Sequence, residues 1–340
     1  MPELRVILRH ASTVLVGQLA VMAFGVADTV IAGRHSPQAL ATLSLASSIY
    51  ISVYVALNGL VQALLPVWAE LHGAGRSTEL GRSVRQALYV SSLAGLAGIA
   101  ALCFPDPWLA WTGVPPALWP QVEQYLQILA AAVLPSLLFR LYGTLNQSLG
   151  LPRLVTWLQA AGLQLKVPLS VWLTFGLGDL PGLGVVGCAW ATLIVNTLML
   201  LTGLWLLRTQ DIYRPFELWR RIEAPDPVQL RRFLALGVPA GLSIMVEVTS
   251  FTLMALFIAR LGEVALASHQ IAASMAALLY MVPLSLGIAT SARAGYWIGA
   301  GHMARACRSA HRLVGGGRHG DAVRAGADAA ARAHCRSVCQ

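Results

Sequence analysis

The sequence predicts an all-helical integral membrane protein. Three observations carry that prediction: a charge-poor composition, a series of long apolar runs, and an internal repeat. Of the 340 residues, 56% are hydrophobic and only 11% charged, whereas a soluble domain carries about 25% charged residues. A disordered chain is excluded, since so much apolar surface is not tolerated in water. A soluble globular enzyme is excluded as well, because the polar residues to cover its exterior are missing. The net charge of +9 does not point to nucleic acid. Apart from Lys166 every basic residue is arginine, and most fall in short runs between apolar stretches, with no basic groove of interleaved aromatics. The cysteines (Cys103, Cys188, Cys307, Cys335 and Cys339) have neither metal-ligand nor disulfide spacing.

A helix needs about 20 apolar residues to span a bilayer. Segments of that kind lie near 12–33, 42–70, 87–104, 123–147, 154–176, 184–207, 233–259 and 265–292. They read as helices because a spanning segment must satisfy its own backbone and no barrel-strand alternation is present. The first run is too long for a cleaved secretory signal and reads as an anchor. With eight spans, one side of the membrane receives Arg5, Arg9, Arg76, Arg82, Arg85, Arg153, the group from Arg208 to Arg232 and the group from Arg293 to Arg312. The other side receives Arg34 and Arg260. The positive-inside rule therefore places the N-terminus in the cytoplasm. Pro135, Pro239 and Pro283 fall inside spans and are expected to kink them.

The chain matches itself without a gap at an offset of 226 residues. Arg34 meets Arg260, Ala39-Leu40-Ala41 meets Ala265-Leu266-Ala267, Tyr54 meets Tyr280, and Gly73-Ala74-Gly75 meets Gly299-Ala300-Gly301. Spans 1 and 2 thus correspond to spans 7 and 8. An even number of spans separates the copies, so both enter the membrane in one direction, a parallel repeat of the kind two-lobed secondary transporters use. The expected organisation is a first lobe over 1–208, a basic, proline-containing linker over 209–232, and a partial second lobe over 233–300. A second lobe of equal size would run well past residue 340. Residues 301–340 are rich in Gly, Ala, Arg and His, as in Gly315-Gly316-Gly317-Arg318-His319-Gly320, and no span fits there. One reading is a flexible basic tail; the sharper one is a change of reading frame near residues 301–313.

Several motifs now fall in order on these spans. Phe24-Gly25-Val26-Ala27-Asp28-Thr29-Val30-Ile31-Ala32-Gly33 resembles the first-helix signature of the multidrug and toxic compound extrusion (MATE) family. Similar stretches are Val185–Thr192, Glu247-Val248-Thr249, Ala267–Ala272 and Met281–Ser285. The resemblance covers about residues 5–305 and follows the bacterial norfloxacin-exporter branch. It implies twelve helices in two six-helix lobes, with the segment absent from this chain at helices 9–12. It also implies expulsion of cationic amphipathic drugs across the bacterial inner membrane in exchange for Na⁺ or H⁺, by alternating access.

A charge in mid-span costs roughly 2.5–3.5 kcal/mol even on lenient insertion scales, so each is a functional candidate. Asp28, late in the first span, matches the family acid that belongs to a proton- or cation-responsive cluster in the first lobe. Its ordinary reading is a capping or interface carboxylate. Glu247, inside the seventh span, matches the family's cation-site glutamate and is the one place where the resemblance implies a metal ion, Na⁺. The family's second acid there comes from helix 10. Lys166 lies near the centre of the fifth span, in Gln164-Leu165-Lys166-Val167-Pro168-Leu169-Ser170, where the family commonly has Asn-x-Pro-x-Asn; Lys166 and Ser170 stand at the two amide positions. Pro168 leaves the Gln164 carbonyl without its helical partner, which favours a polar pocket. Lys166 is expected to pair with Asp28 as a tethered cation, against the alternative of snorkelling outward. Arg140 is expected to pair with a carbonyl or to reach the cytoplasmic interface.

Tyr50, Asn58, Gln62, Ser170, Asn196, Gln270, Tyr280 and Met281 are candidate cavity-lining residues, although packing and interhelical hydrogen bonds are the commoner roles for such side chains. Gly182-Leu183-Gly184-Val185-Val186-Gly187 fits GxGxxG but opens a membrane span instead of joining a strand to a helix, so no nucleotide site is expected. No HExxH, P-loop or Ser/His/Asp set supports an enzyme, and no cofactor beyond the coupling ion is expected. The expected partners are the bilayer and small cationic organic molecules, with no nucleic acid and no obligate protein partner. Two other readings remain open: a non-functional remnant of such an antiporter, and a flippase of the same architecture for lipid-linked precursors.

Overall fold

The computed structural model describes residues 2–104, 119–177, 180–220, 223–259, 263–303 and 306. Arg260 and the tail beyond residue 306 lie outside them, as does the side chain of Gln270. Each expected span is a helix: α1 (Pro2–His35), α2 (Pro37–Gln62) continued by α3 (Leu65–Gly73), α4 (Ser77–Cys103), α5 (Trp119–Ser148), α6 (Pro152–Phe175), α7 (Val186–Thr209), α8 (Pro227–Ala259) and α9 (Glu263–Gly299). The second span breaks at Ala63-Leu64, just before Pro66, which cannot donate to the helix ladder. Pro135, Pro239 and Pro283 stand inside continuous helices. Among the described residues seven helices are long and apolar enough to cross a bilayer, with α2 and α3 taken as one; α6, which carries Lys166, is not among them.

Two core clusters hold α1–α7 together. One is built around Leu64, Trp68, Leu80, Leu137 and Leu145, and the other around Ala32, Ala46, Leu126, Val133 and Cys188. Trp68 is fully buried, and its indole N–H donates to Ser83 Oγ at 3.0 Å. The glycines of the GxGxxG segment serve packing: a Cβ on Gly182 or Gly187 would strike the backbone at Leu173–Phe175, the end of α6. A short hairpin, β1 (Gly176–Leu177) with β2 (Leu180–Pro181), links α6 to this segment.

The linker is strapped to α4. A 3₁₀ turn at Asp211–Phe216 buries Tyr213 and Phe216. The Tyr213 hydroxyl donates to Asn146 Oδ1 at 2.6 Å, and burial holds this phenol above its ordinary pKa, so it remains a donor. Arg85, read from the sequence as an orientation charge, is buried and donates to the Glu217 carbonyl at 2.8 Å and to Glu223 Oε1 at 3.0 Å. Gln86 bonds Ala224 O and the Asp226 N–H, and Tyr89 bonds Glu223 O.

The α8–α9 pair meets the α1–α7 bundle along the side that holds the N-terminus. Ile7 and Ala11 pack on Leu286 and Ala289, and Val14 and Leu65 on Ile288 and Ala292. Arg293 forks onto Glu3 at 2.9 and 3.0 Å. The repeat is visible in this seam. Gly75 and Gly301, 226 apart, both close a helix in the left-handed region, at φ +71° and +75°. A Cβ on Gly73 would strike the Tyr296 carbonyl, and one on Gly299 the Glu70 carbonyl. Glu70 and Tyr296 are also 226 apart, so the contact is reciprocal, as a pseudo-two-fold axis between α3 and α9 requires. On α2 and α8, Gly59 faces Gly241, and Gly237 faces Leu60. Between Leu242 and Leu284 no described side chain is buried.

The glycine seam predicts a position-specific cost. Gly299→Ala should lower unfolding stability in detergent by about 1–3 kcal/mol, the range for overpacking a close contact. Gly287→Ala, where a Cβ would meet nothing within 4 Å, should be neutral or mildly stabilising. Equal effects at both glycines would contradict the reciprocal contact.

Candidate functional site

The α6 helix is built the opposite way round from a soluble helix. Its buried positions are Pro152, Val155, Gln159, Gly162, Lys166, Ser170 and Thr174, spaced by three or four residues and so on one face. Trp157, Leu165, Val167, Val171 and Trp172 stand exposed on the remainder, the surface a hydrocarbon phase accepts. The mostly polar face lies against α1. Thr156 Oγ1 donates to the Thr13 carbonyl at 2.8 Å, and Gly17 makes room for the Gln159 amide, whose oxygen would collide with any Cβ there.

At the centre of this seam the structure brings Asp28 and Lys166 together. Lys166 Nζ donates to Asp28 Oδ2 at 2.7 Å, and the two residues are 2% and 6% exposed. Ser170, one turn beyond Lys166 and fully buried, donates to Asp28 Oδ1 at 3.4 Å. Phe24, one turn before Asp28, sets its ring 5.0 Å from the ammonium, a cation–π contact. Gly162 leaves the space that Phe24 and Met199 occupy; a Cβ there would lie 2.7 Å from the Met199 sulfur. Thr174 continues the seam to Cys188, with Oγ1 and Sγ 3.4 Å apart. Tyr125 and Cys188 lie within electrostatic reach of Asp28. Phe24, Tyr125, Gln159, Thr174 and Cys188 were not singled out as site residues from the sequence. The signal for Gln159 and Thr174 was present as the three-to-four spacing of polar residues around Lys166. Phe24, Tyr125 and Cys188 carry no such mark.

Glu247 is not part of this cluster. It is half-buried on α8, with Tyr280 of α9 beside it. Met281 follows, half-buried. Tyr50, Asn58 and Gln62 fall with Tyr54 on one face of α2 at four-residue intervals, against Ser136, Arg140 and Gln147 of α5. Tyr50 lies beside Ser136 and stacks on Tyr54 at 5.5 Å; Tyr54 lies beside Arg140, and Gln62 Nε2 donates to Gln147 Oε1 at 3.4 Å. Among the described residues Arg140 Nε and Asn58 Oδ1 are buried without a hydrogen-bond partner. Asn196 lies half-buried on α7, away from the Asp28 cluster's hydrogen bonds. Among the described residues no group of His, Cys, Asp and Glu is arranged to hold a metal ion.

Comparison with known proteins fits this architecture. The MatE family profile matches residues 14–172 and 239–315. The chain is 38% identical over 296 residues to the probable multidrug resistance protein NorM of Aromatoleum aromaticum, covering 87% of this chain and 64% of that protein. It is 35% identical over 300 residues to the multidrug resistance protein PmpM of Pseudomonas aeruginosa, covering 88% and 63%. The chain therefore spans just under two thirds of the length of these relatives. Its fold superposes on the outward-facing conformation of a multidrug resistance MATE family transporter of the MOP superfamily, with TM-score 0.79, 19% identity, and coverage of 91% of this chain and 68% of that one.

The ion pair sets a test by double mutation. Removing one partner of a buried pair costs about 3–5 kcal/mol, whereas replacing both with neutral groups is often close to neutral. Asp28→Asn and Lys166→Met should each lower unfolding stability in detergent by about that much, and the double variant by much less than the sum. Additive losses would contradict a direct pair.

Proposed function

The chain belongs to the MatE family, and from that membership we propose that it works in secondary active multidrug efflux. The cargo is cationic, amphipathic drugs, moved across the bacterial inner membrane from a cytoplasmic N-terminal side in exchange for Na⁺ or H⁺. The observation that carries this reading is the buried Asp28–Lys166 pair: a charge held in mid-span at substantial cost, on a helix whose inward face is polar. In this reading α1–α7, over 1–208, form one lobe and α8–α9, over 233–300, begin the second. Contact between them on the N-terminal side, with no described side chain buried between Leu242 and Leu284, suits a transporter closed toward the cytoplasm and open outward.

Each acidic residue has its own part in the proposal. Asp28 exchanges its tethered partner: when a proton or cation reaches the carboxylate, Lys166 is released toward Ser170 and the Phe24 ring. Lys166 supplies internally a positive charge that Asp28 would otherwise take from outside. Glu247, on the other lobe and beside Tyr280, offers hard oxygens for Na⁺ or a carboxylate that carries a proton. Tyr280 and Met281 beside it give the aromatic and polarisable surface that organic cations favour. Tyr50, Asn58, Gln62, Ser170, Asn196 and Gln270 are proposed to line the drug's route. The flippase reading is less well supported, because the cation buried in mid-span in the first lobe, Lys166, is already paired with Asp28 and so is not free for a phosphate cargo there.

Ethidium efflux from cells expressing the chain tests the proposal. Efflux above the empty-vector level, reduced at least tenfold in Glu247→Gln at equal membrane abundance, is the expected result. Efflux no faster than empty vector in the unmutated chain would overturn it and favour the remnant reading.

A further inference from the structure

On the N-terminal side of the seam lies a cavity of about 550 Å³, within the range of small-molecule sites. Arg9 and His10 of α1, His72 of α3, Arg153 of α6, and Arg293 and Tyr296 of α9 line it, with Val6 and Leu149 supplying part of an apolar floor. No carboxylate faces it among its described lining residues. Glu3 neutralises Arg293, but Arg9 and Arg153 form no ion pair among the described residues, and His10 Nε2 is buried without a partner. The α6 helix starts at the same wall: Gly150, Leu151 and Pro152 line the cavity, and Leu151 at the N-cap offers no side-chain acceptor to the first turn.

We propose that this cavity binds a phosphate-bearing anion, and that the bound anion fastens the α1–α7 bundle to α9. Four features converge on that ligand chemistry. The guanidinium groups of Arg9 and Arg153, which line the same cavity and form no ion pair among the described residues, leave positive charge there that a counter-anion would balance. Arginine forks match phosphate oxygens in pairs. An uncapped helix start presents free N–H groups to an anion. The apolar floor beside the cationic wall suits an amphiphile, so an acidic phospholipid headgroup and a free phosphate are the two sources of the same chemistry. Because Arg9 and Arg153 sit on one bundle and Arg293 and Tyr296 on the other, occupancy favours the arrangement in which this side is shut. The regulatory consequence rests on the transporter reading above; the binding itself does not.

Binding of dihexanoyl phosphatidylglycerol, dihexanoyl phosphatidylcholine and inorganic phosphate to the purified full chain in detergent tests the site. The expected result is saturable binding of phosphatidylglycerol, with no comparable binding of phosphatidylcholine. Each arginine near a membrane surface is worth about fivefold in affinity for an anion. The Arg9→Gln, Arg153→Gln double variant should therefore bind about 25-fold more weakly, and Arg153→Gln alone, the fallback if the double variant does not fold, about fivefold. The Arg214→Gln, Arg220→Gln control, which removes exposed charges outside the cavity, should bind as the parent does. Inorganic phosphate binding as tightly as the lipid assigns the site to a free anion; much weaker phosphate binding assigns it to the lipid. Equal binding of the two lipids, or undiminished binding in the Arg9 and Arg153 variants, would overturn the proposal. Neither outcome depends on whether the chain transports ethidium.

Discussion

Asp28 and Lys166 lie 2.7 Å apart inside a bundle of membrane helices, and neither could stay charged there without the other. That one contact organises much of the first seven helices. It holds α1 against α6, and it explains why the buried face of α6 is mostly polar while its apolar side chains face outward. It also explains the small and aromatic residues around it. Gly162 is small so that Phe24 can reach the ammonium, and Ser170 supplies a hydroxyl to the carboxylate oxygen that Lys166 does not use. In a medium without water to solvate a lone ion, each charge of such a pair depends on the other, whereas a pair of apolar side chains would hold the helices at least as well.

The second organising feature is the repeat. Gly73 against the Tyr296 carbonyl and Gly299 against the Glu70 carbonyl are one contact written twice, once in each copy. Here backbones meet at glycine, without long interdigitating side chains between them. The same side holds the Glu3–Arg293 fork and the cationic cavity. The linker, bound to α4 through Arg85 and Gln86, keeps the start of α8 close to the bundle.

Much of this was legible in the sequence, and the reasons are physical. Apolar runs in the sequence gave the long described helices, because lipid leaves the backbone no alternative to internal hydrogen bonding. The Asp28–Lys166 pairing was legible because two opposite charges in mid-span have few ways to be accommodated. The repeat was legible because Gly-Ala-Gly is a costly pattern to keep in a helix end unless geometry demands it. The break at Ala63-Leu64 was not foreseen, since Pro66 lies inside an otherwise unbroken apolar run. The destination of Arg85 was missed for a different reason: an arginine at the end of a span looks like an orientation charge, and only the folded linker shows that it is buried. The ladder of Tyr50, Tyr54 and Gln62 against α5 needs the register between two helices, which no single-helix pattern contains.

Because Lys166 is the only lysine in the chain, labelling lysine with ¹⁵N at Nζ places one side-chain nitrogen signal in the whole protein. Its resonance in detergent at neutral pH is the most direct test of the central claim. A buried, paired ammonium should give a sharp signal protected from solvent exchange, and Asp28→Asn should shift or broaden it. A rapidly exchanging signal indifferent to Asp28→Asn would mean that Lys166 faces solvent or headgroups, and the account of the first-lobe site would be wrong.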